Sequence, residues 1–217
     1  YNAMHIGEVM MWIGLPQLVM VPIVLRLMQR VDLRILLAIG AGVFGLSCLL
    51  NIHMTADYAY DHILLPHVIR GLGMPFIMIP LSVIGTAGIE PQQVGSASGM
   101  FNVMRNLGGS VGIALLATFV SVREHFHSNH ILEPVSLYDP TTQERLQAMT
   151  GYFAGLGADP ELAQLQALTA IAGIARRDSY VMAFNDAFFV IGSAFVLSLF
   201  VILFLKKAPT AAAAHGE

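Results

Sequence analysis

Charged side chains and cysteine are both scarce in this chain of 217 residues. Asp, Glu, Lys and Arg together make up 12% of the residues, whereas a typical soluble domain carries about 25%. The hydrophobic share is 56%, which argues against an ordinary water-soluble domain. Cys48 is the only cysteine, so no disulfide can form within the chain, and we expect its thiol to be a small packing group.

Sequence motifs of common enzymes are missing as well. The chain contains no phosphate-binding glycine loop with a Lys, no H-E-x-x-H metal motif and no G-x-S-x-G nucleophile elbow. His125, His127 and His130 are closely spaced, but the spacing matches no well-defined metal site and no cysteine supports one. We therefore predict that the protein is not an enzyme and that it binds no metal ion and no cofactor. The alternative is a membrane-embedded enzyme or metal site that uses these histidines.

Long apolar stretches dominate what is present. Five of them cover residues 8–28, 33–52, 63–84, 95–122 and 181–205. A helix needs about 20 mostly apolar residues to cross the hydrocarbon core of a bilayer. The predicted fold is therefore all-α, a polytopic helical membrane protein with five transmembrane helices. We expect it to lie in the lipid bilayer and to bind no nucleic acid.

The placement of basic residues predicts the orientation of these helices, because Lys and Arg in short loops mark the cytoplasmic side. One short turn concentrates charged residues: Arg26, Arg30, Asp32 and Arg34. Lys206 and Lys207 begin the tail after the last stretch, whereas residues 53–62 contain no Lys or Arg. We therefore predict that the first helix starts outside and that the C-terminal tail, residues 206–217, is cytoplasmic.

Residues 123–180 then fall on the outer side of the membrane. Asp139-Pro140 and Asp159-Pro160 each place an N-cap acid before a proline, which suits the first position of a helix. Apolar residues at helical spacing follow the second of these starts: Leu162, Leu165, Leu168 and Ile171. We expect two short amphipathic helices that cap the bundle, and the alternative is a contact surface for a periplasmic partner.

The fourth apolar stretch has a face of small and polar residues. Its glycines are Gly95, Gly99, Gly108, Gly109 and Gly112. Such a face lets helices approach closely and hydrogen-bond, so we assign the glycines to helix packing or gating. Asn102 and Asn106 lie in the same stretch. So does Arg105, whose insertion costs at least ~2.5–3.5 kcal/mol and which must find a carboxylate, carbonyl groups or water.

The third stretch combines Arg70 with Pro75 and Pro80. Proline removes a backbone hydrogen bond and bends a helix, and neighbours in a membrane bundle can satisfy the freed groups. A bent helix with a buried arginine suits a moving gate or a cavity wall. The alternative is a static bend with Arg70 reaching the outer interface.

Two acids, Glu8 and Asp186, lie in the apolar stretches, both toward the predicted outer ends. Either can pair with an arginine of the third or fourth stretch or bind a proton, and the alternative is an interfacial acid in water. We group five residues as a candidate substrate cavity or coupling network: Arg70, Asn102, Arg105, Asn106 and Asp186.

Several segments in fixed order carry a family resemblance. They are the basic turn at residues 22–34, the Arg70-Gly-Leu-Gly-Met-Pro75 run, the glycine-rich residues 95–112, and Asn185-Asp186 after a long outer segment. Together they resemble the major facilitator superfamily, in particular the C-terminal third of the 14-helix drug:proton antiporters of the EmrB/QacA type. The resemblance covers essentially the whole chain.

The resemblance implies that the five stretches are helices 10 to 14 of a transporter in which two bundles rock around a central site. It implies a proton-driven exporter of amphipathic compounds in a bacterial inner membrane, completed by N-terminal helices of the same protein. Many Gram-negative members also use a periplasmic adaptor and an outer-membrane channel. We therefore expect a fragment of a multidrug efflux antiporter. The alternatives are an exporter of a metabolite or siderophore and a non-transporting membrane interaction protein.

Overall fold

The computed structural model describes residues 3–55, 60–86, 89–90, 92–132 and 140–204. Every regular element in these ranges is an α-helix: α1 (Ala3–Leu27), α2 (Leu33–Leu49), α3 (Tyr60–Thr86), α4 (Val94–Leu132), α5 (Pro140–Gly155) and α6 (Pro160–Phe204). The predicted all-α class is confirmed. The predicted cytoplasmic tail, residues 206–217, lies outside the described residues.

Four of the helices, α1, α3, α4 and α6, are long and apolar enough to cross a bilayer. Helix α2 has 17 residues, which is the lower end of the range of about 17–25 residues for a membrane helix. Each of the five apolar stretches therefore lies on a helix, and the chain is a multi-pass helical membrane protein.

Helices α4 and α6 run well beyond the apolar stretches that predict them. They have 39 and 45 residues, so at about 1.5 Å per residue each exceeds the hydrocarbon thickness of about 30 Å. The second proline-led helix starts at Pro160 as expected but is not short. No proline follows Pro160 within α6, so no missing backbone donor interrupts the helix before the last apolar stretch.

The described residues form two compact units. The first holds α1, α2, α3, the part of α4 up to Leu115, and α6 from Phe188 onward. The second holds Met54 and Thr55 with the rest of α4, α5 and the part of α6 up to Ala187.

Helix α3 organises the first unit because it packs against both α1 and α2. The buried core at this contact consists of Val24, Met28, Leu33 and Leu36, with Phe76, Ile79 and Val83 packed against it. Glycines bring the backbones together. A Cβ added at Gly40 would lie 2.7 Å from Cβ of Phe76, and one at Gly71 would collide with the backbone carbonyl of Ile13.

In the second unit, α6 buries small residues rather than the leucines that the sequence pattern emphasises. Its buried positions are all small and lie at multiples of four residues from Ala163: Ala163, Ala167, Ala175, Ser179, Ala183 and Ala187. Leu162, Leu165 and Leu168 are 42–62% exposed instead. Small side chains permit close backbone approach, and the larger leucines lie at exposed positions of the helix.

Candidate functional site

Arg70 lies on α3 with its guanidinium partly buried in the first unit. Its Nε and Nη2 atoms are shielded from solvent and have no hydrogen-bond partner among the described residues. The guanidinium carbon lies 5.7 Å from the ring centroid of Phe44 and 5.3 Å from that of Phe188. Two aromatic rings therefore position a cation for which the described part of the chain provides no carboxylate partner.

The surroundings of Arg70 do not offset its charge. Cation–π contacts are worth about 0.5–1 kcal/mol at exposed sites and about 2 when desolvated, less than a paired carboxylate would give. Cys48 on α2 is a further neighbour of the guanidinium. A half-buried cation held between two aromatic rings can interact with an electron-rich or anionic group that approaches it.

Asn102, Arg105 and Asn106 are exposed on α4. Asn102 donates from Nδ2 to the carbonyl of Ser98 at 3.0 Å, and the carbonyl of Asn106 accepts a bond from Oγ of Ser110 at 2.9 Å. Arg105 has no ion-pair or hydrogen-bond partner among the described residues. Within the described residues, no hydrogen bond or ion pair thus joins the side chains of four members of the predicted network: Arg70, Asn102, Arg105 and Asn106.

A polar cavity of about 310 Å³ lies between α3 and α4, lined by Ser82, Val83, Thr86, Ser98, Phe101 and Asn102. Two of its hydroxyl groups donate to carbonyls of their own helix: Ser82 Oγ to Met78 at 2.8 Å and Thr86 Oγ1 to Ser82 at 3.1 Å. Their oxygens remain acceptors. Beside it, a Cβ at Gly85 would lie 2.6 Å from the Phe101 ring, so the absence of a side chain there lets the two helices meet.

Asp186 belongs to a charged cluster within the second unit. Its Oδ2 accepts hydrogen bonds from Nε of Arg123 at 2.6 Å and from Nε2 of His127 at 2.7 Å. The Asp186 and Arg123 side chains are each 32% exposed, and that of His127 is 16% exposed. Because a carboxylate only accepts hydrogen bonds, Nε2 of His127 must carry a proton in this arrangement.

Asn185, the residue before Asp186, clamps the backbone that follows α2. Its Oδ1 accepts from the backbone N–H of Met54 at 3.1 Å, and its Nδ2 donates to the Met54 carbonyl at 2.8 Å. One side chain thus satisfies both backbone groups of a residue that lies outside a helix. Two neighbouring residues of α6 therefore hold two different segments of the second unit. Asn185 binds the backbone of Met54, and Asp186 binds side chains of α4.

The remaining predicted residues lie apart from these contacts. Arg26 and Arg30 are exposed in the turn between α1 and α2, where Asp32 caps α2 by accepting from the backbone N–H of Arg34 at 3.4 Å. Pro75 and Pro80 are fully buried on α3. The glycines of α4 have open space where a Cβ would project: Gly95, Gly99, Gly108, Gly109 and Gly112.

Two of the contact residues were not singled out by sequence reasoning. The sequence pattern assigns no role to Arg123, and Asn185 enters only through the family resemblance. The available signal for Arg123 is its spacing of four from His127, which places both on one helical face. Of the three histidines, His125 is exposed and His127 contacts Asp186; the described residues contain no group of three potential metal ligands.

No family model matches the chain, but curated relatives match nearly all of it. The chain is 27% identical over 206 residues to the colistin resistance protein EmrB of Acinetobacter baumannii. It is 26% identical over 207 residues to the multidrug export protein EmrB of Haemophilus influenzae and 26% over 208 residues to that of Escherichia coli K12. Each match covers 95% of this chain, which spans about 40% of the length of these relatives. The resemblance to EmrB-type transporters is confirmed.

Proposed function

We propose that this chain, a homologue of the EmrB-type multidrug transporters of the major facilitator superfamily, is part of a secondary active exporter of amphipathic compounds driven by the proton gradient. The similarity to multidrug export proteins over 95% of the chain carries the proposal. With so little of the chain unmatched, none of the five apolar helices lies outside the similarity. Export as a whole belongs to the longer protein that the relatives represent.

In this proposal the charged residues of the apolar helices bind the substrate or couple its export to proton movement. Arg70, held between Phe44 and Phe188, lines the substrate cavity, and Asn102, Arg105 and Asn106 on α4 belong to the coupling network. Ionisable residues inside membrane helices are costly, so those that occur there generally serve transport or assembly. Asp186, already bonded to Arg123 and His127, couples its protonation to the position of α6 relative to α4.

The orientation follows the basic turn between α1 and α2. Arg26 and Arg30 are exposed there, which supports a cytoplasmic location by the positive-inside rule, and the C-terminus is then cytoplasmic as well. The layout is four transmembrane helices within residues 1–122, an outer segment at 123–180, a last transmembrane helix at 181–205 and a tail at 206–217.

A periplasmic adaptor, which would hand the cargo to an outer-membrane channel, is the partner that we propose for the outer segment. In the second unit, Leu162, Leu165 and Leu168 are exposed on one side of α6. Large contiguous apolar patches on a folded surface mark sites of protein or membrane interaction, and these three leucines are candidates for part of such a patch. Replacing these three leucines by Gln should reduce copurification of the adaptor while leaving the protein in the membrane.

The test of the proposed function is efflux of a fluorescent amphipathic dye from cells that make the full-length protein. We expect efflux that stops when an uncoupler collapses the proton gradient. Asp186→Asn should slow it at least tenfold, whereas Asp178→Asn makes the same change two turns earlier in α6, beside Arg177, and should leave it unchanged.

Two results would contradict the proposal in different ways. Efflux that survives the uncoupler would remove proton coupling. Absence of efflux, with the protein verified in the membrane, would shift the cargo to a metabolite or siderophore or favour a non-transporting interaction protein.

A further inference from the structure

Helix α4 presents two unlike faces along its membrane portion. One face is apolar and exposed: Met100, Val103, Met104, Leu107 and Val111. The opposite face, about half a helical turn away at 100° per residue, is small and polar: Ser98, Asn102, Arg105, Gly109 and Gly112. The first face suits lipid chains, and the second does not.

The small polar face cannot face lipid because of Arg105. A guanidinium in the hydrocarbon region needs a negative charge, carbonyl groups or water. Arg105 is exposed and has no partner among the described residues. The amide of Asn102 is also exposed, and its bond to Ser98 uses one of its two N–H donors and leaves its oxygen free for another partner.

The inner end of this face already forms a helix contact. There Phe101 lies against Gly85 of α3, and Ser98 and Asn102 line the cavity shared with α3. Farther along α4 the space opens, since a Cβ at Gly108, Gly109 or Gly112 would meet nothing within 4 Å. Glycines at that spacing allow a second helix to approach closely, so the free face continues an existing interface.

The acids in the apolar stretches of this chain are already engaged. Glu8 and Asp186 are the two acids in those stretches. Asp186 is bonded to Arg123 and His127, and Glu8 has an interaction partner as well. Among the described residues, no acid of the apolar stretches pairs with Arg105. The chain spans about 40% of the length of its relatives, which leaves ample polypeptide to supply a carboxylate.

We propose that the face of α4 formed by Ser98, Asn102, Arg105, Gly109 and Gly112 docks a transmembrane helix that lies outside this chain and carries a carboxyl group opposite Arg105. The inference rests on the proposed membrane placement and on the longer protein, but not on the cargo. Charge complementarity selects an acidic helix, and the glycines select a close approach. An anionic lipid and a second copy of this chain are the competing occupants.

The experiment is photo-crosslinking of the full-length protein in native membranes. A benzophenone amino acid replaces Ile113, which flanks the polar face, or Leu115, which lies on the other side of α4 at the same depth. The two positions form a matched pair because their side chains are 71% and 67% exposed. We expect Ile113 to crosslink to a peptide that carries Asp or Glu within an apolar stretch, and Leu115 to give at least tenfold less protein adduct.

A charge exchange then tests the role of Arg105 itself. Arg105→Glu should reduce the Ile113 crosslink at least fivefold, and changing the acid in the crosslinked peptide to Lys should restore it. Lipid adducts alone at Ile113, a crosslink to the same α4 peptide of a second copy, or a crosslinked helix without an acid would each overturn the proposal. Because the crosslink is read without transport, a failure of the export proposal would leave this result intact.

Discussion

The Oδ2 atom of Asp186 lies 2.6 Å from Nε of Arg123, which ties α6 to α4 across 63 residues of sequence. Charged hydrogen bonds contribute about 1.5–3 kcal/mol when buried, and exposed ion pairs about 0.2–1 kcal/mol. Both side chains are about one-third exposed, so we predict a coupling free energy of about 1 kcal/mol. A double-mutant cycle of Arg123→Ala and Asp186→Ala, read by thermal unfolding in detergent, measures it.

The control for this cycle is Arg177→Ala with Asp186→Ala. Arg177 lies beside Asp178 and is exposed, so its removal should add to that of Asp186 without coupling. If Arg123→Ala and Asp186→Ala are also additive within about 0.3–0.5 kcal/mol, the 2.6 Å contact does not stabilise the fold.

The Asn185 clamp on Met54 gives a second prediction. Asn185→Ala leaves both the N–H and the carbonyl of Met54 without their partner, and an unsatisfied buried group costs about 1–3 kcal/mol. Because the site is only partly buried, we expect a loss of about 1–2 kcal/mol. Hydrogen exchange at the Met54 amide should speed up at least tenfold. Asn185→Asp is the informative control, since it keeps the acceptor for the N–H and should preserve most of the protection.

Unchanged protection of the Met54 amide in Asn185→Ala would show that other groups hold this segment. A general increase in exchange along α6, in contrast, would indicate a folding defect rather than release of the clamp. The two outcomes are separated by the amides of Gly192 and Ser193, which lie in the other compact unit.

The sequence predicts the helices of this protein well because helix formation depends on residues that are close together in the chain. The five apolar stretches lie on helices, and α5 and α6 begin at Pro140 and Pro160, where an acid precedes a proline. The sequence does not predict the length of α6, since its outer segment and its last apolar stretch have the patterns of two separate helices. The sequence of α6 becomes more apolar near Val181, but no proline follows Pro160. The helix therefore continues from the outer segment into the last apolar stretch.

The sequence alone does not predict which residues of different helices contact one another. The sequence leaves Asp186 with several options, which are pairing with Arg70 or Arg105, proton binding, or exposure to interfacial water. The structure instead places it against Arg123 and His127. All four candidates have suitable chemistry, so only the relative placement of helices distinguishes them. The same limit applies to glycine, because a close approach at Gly40 depends on where α3 crosses α2 and not on the residues around Gly40.

Gly40 and Gly42 form a matched pair that tests this close approach. An added Cβ at Gly40 would lie 2.7 Å from Cβ and 2.8 Å from the backbone carbon of Phe76, whereas one at Gly42 would meet nothing within 4 Å. Overpacking costs about 1–3 kcal/mol, so Gly40→Ala should lower the unfolding temperature. Gly42→Ala should raise it slightly, since alanine in a helix is favoured over glycine by about 0.5–1 kcal/mol. Equal effects would refute the α2–α3 contact at this position.

Arg70 gives the prediction that separates stability from function. Its Nε and Nη2 atoms are shielded from solvent without a hydrogen-bond partner among the described residues, so the cation should weaken the fold. Replacing a buried charge by an apolar side chain of similar volume is often neutral or stabilising by about 1–4 kcal/mol. We therefore expect Arg70→Met to leave the unfolding temperature unchanged or raise it.

Transport should respond to Arg70→Met in the opposite way. If the guanidinium between Phe44 and Phe188 contacts the cargo, the initial rate of dye efflux should fall at least tenfold at equal protein level in the membrane. Arg70→Lys keeps the charge but loses the planar group that stacks on aromatic rings, and should show an intermediate rate. Wild-type efflux in Arg70→Met would leave the arginine without a functional role. A fall in both stability and efflux would mean that the cation has a structural partner, because only such a partner makes its removal costly.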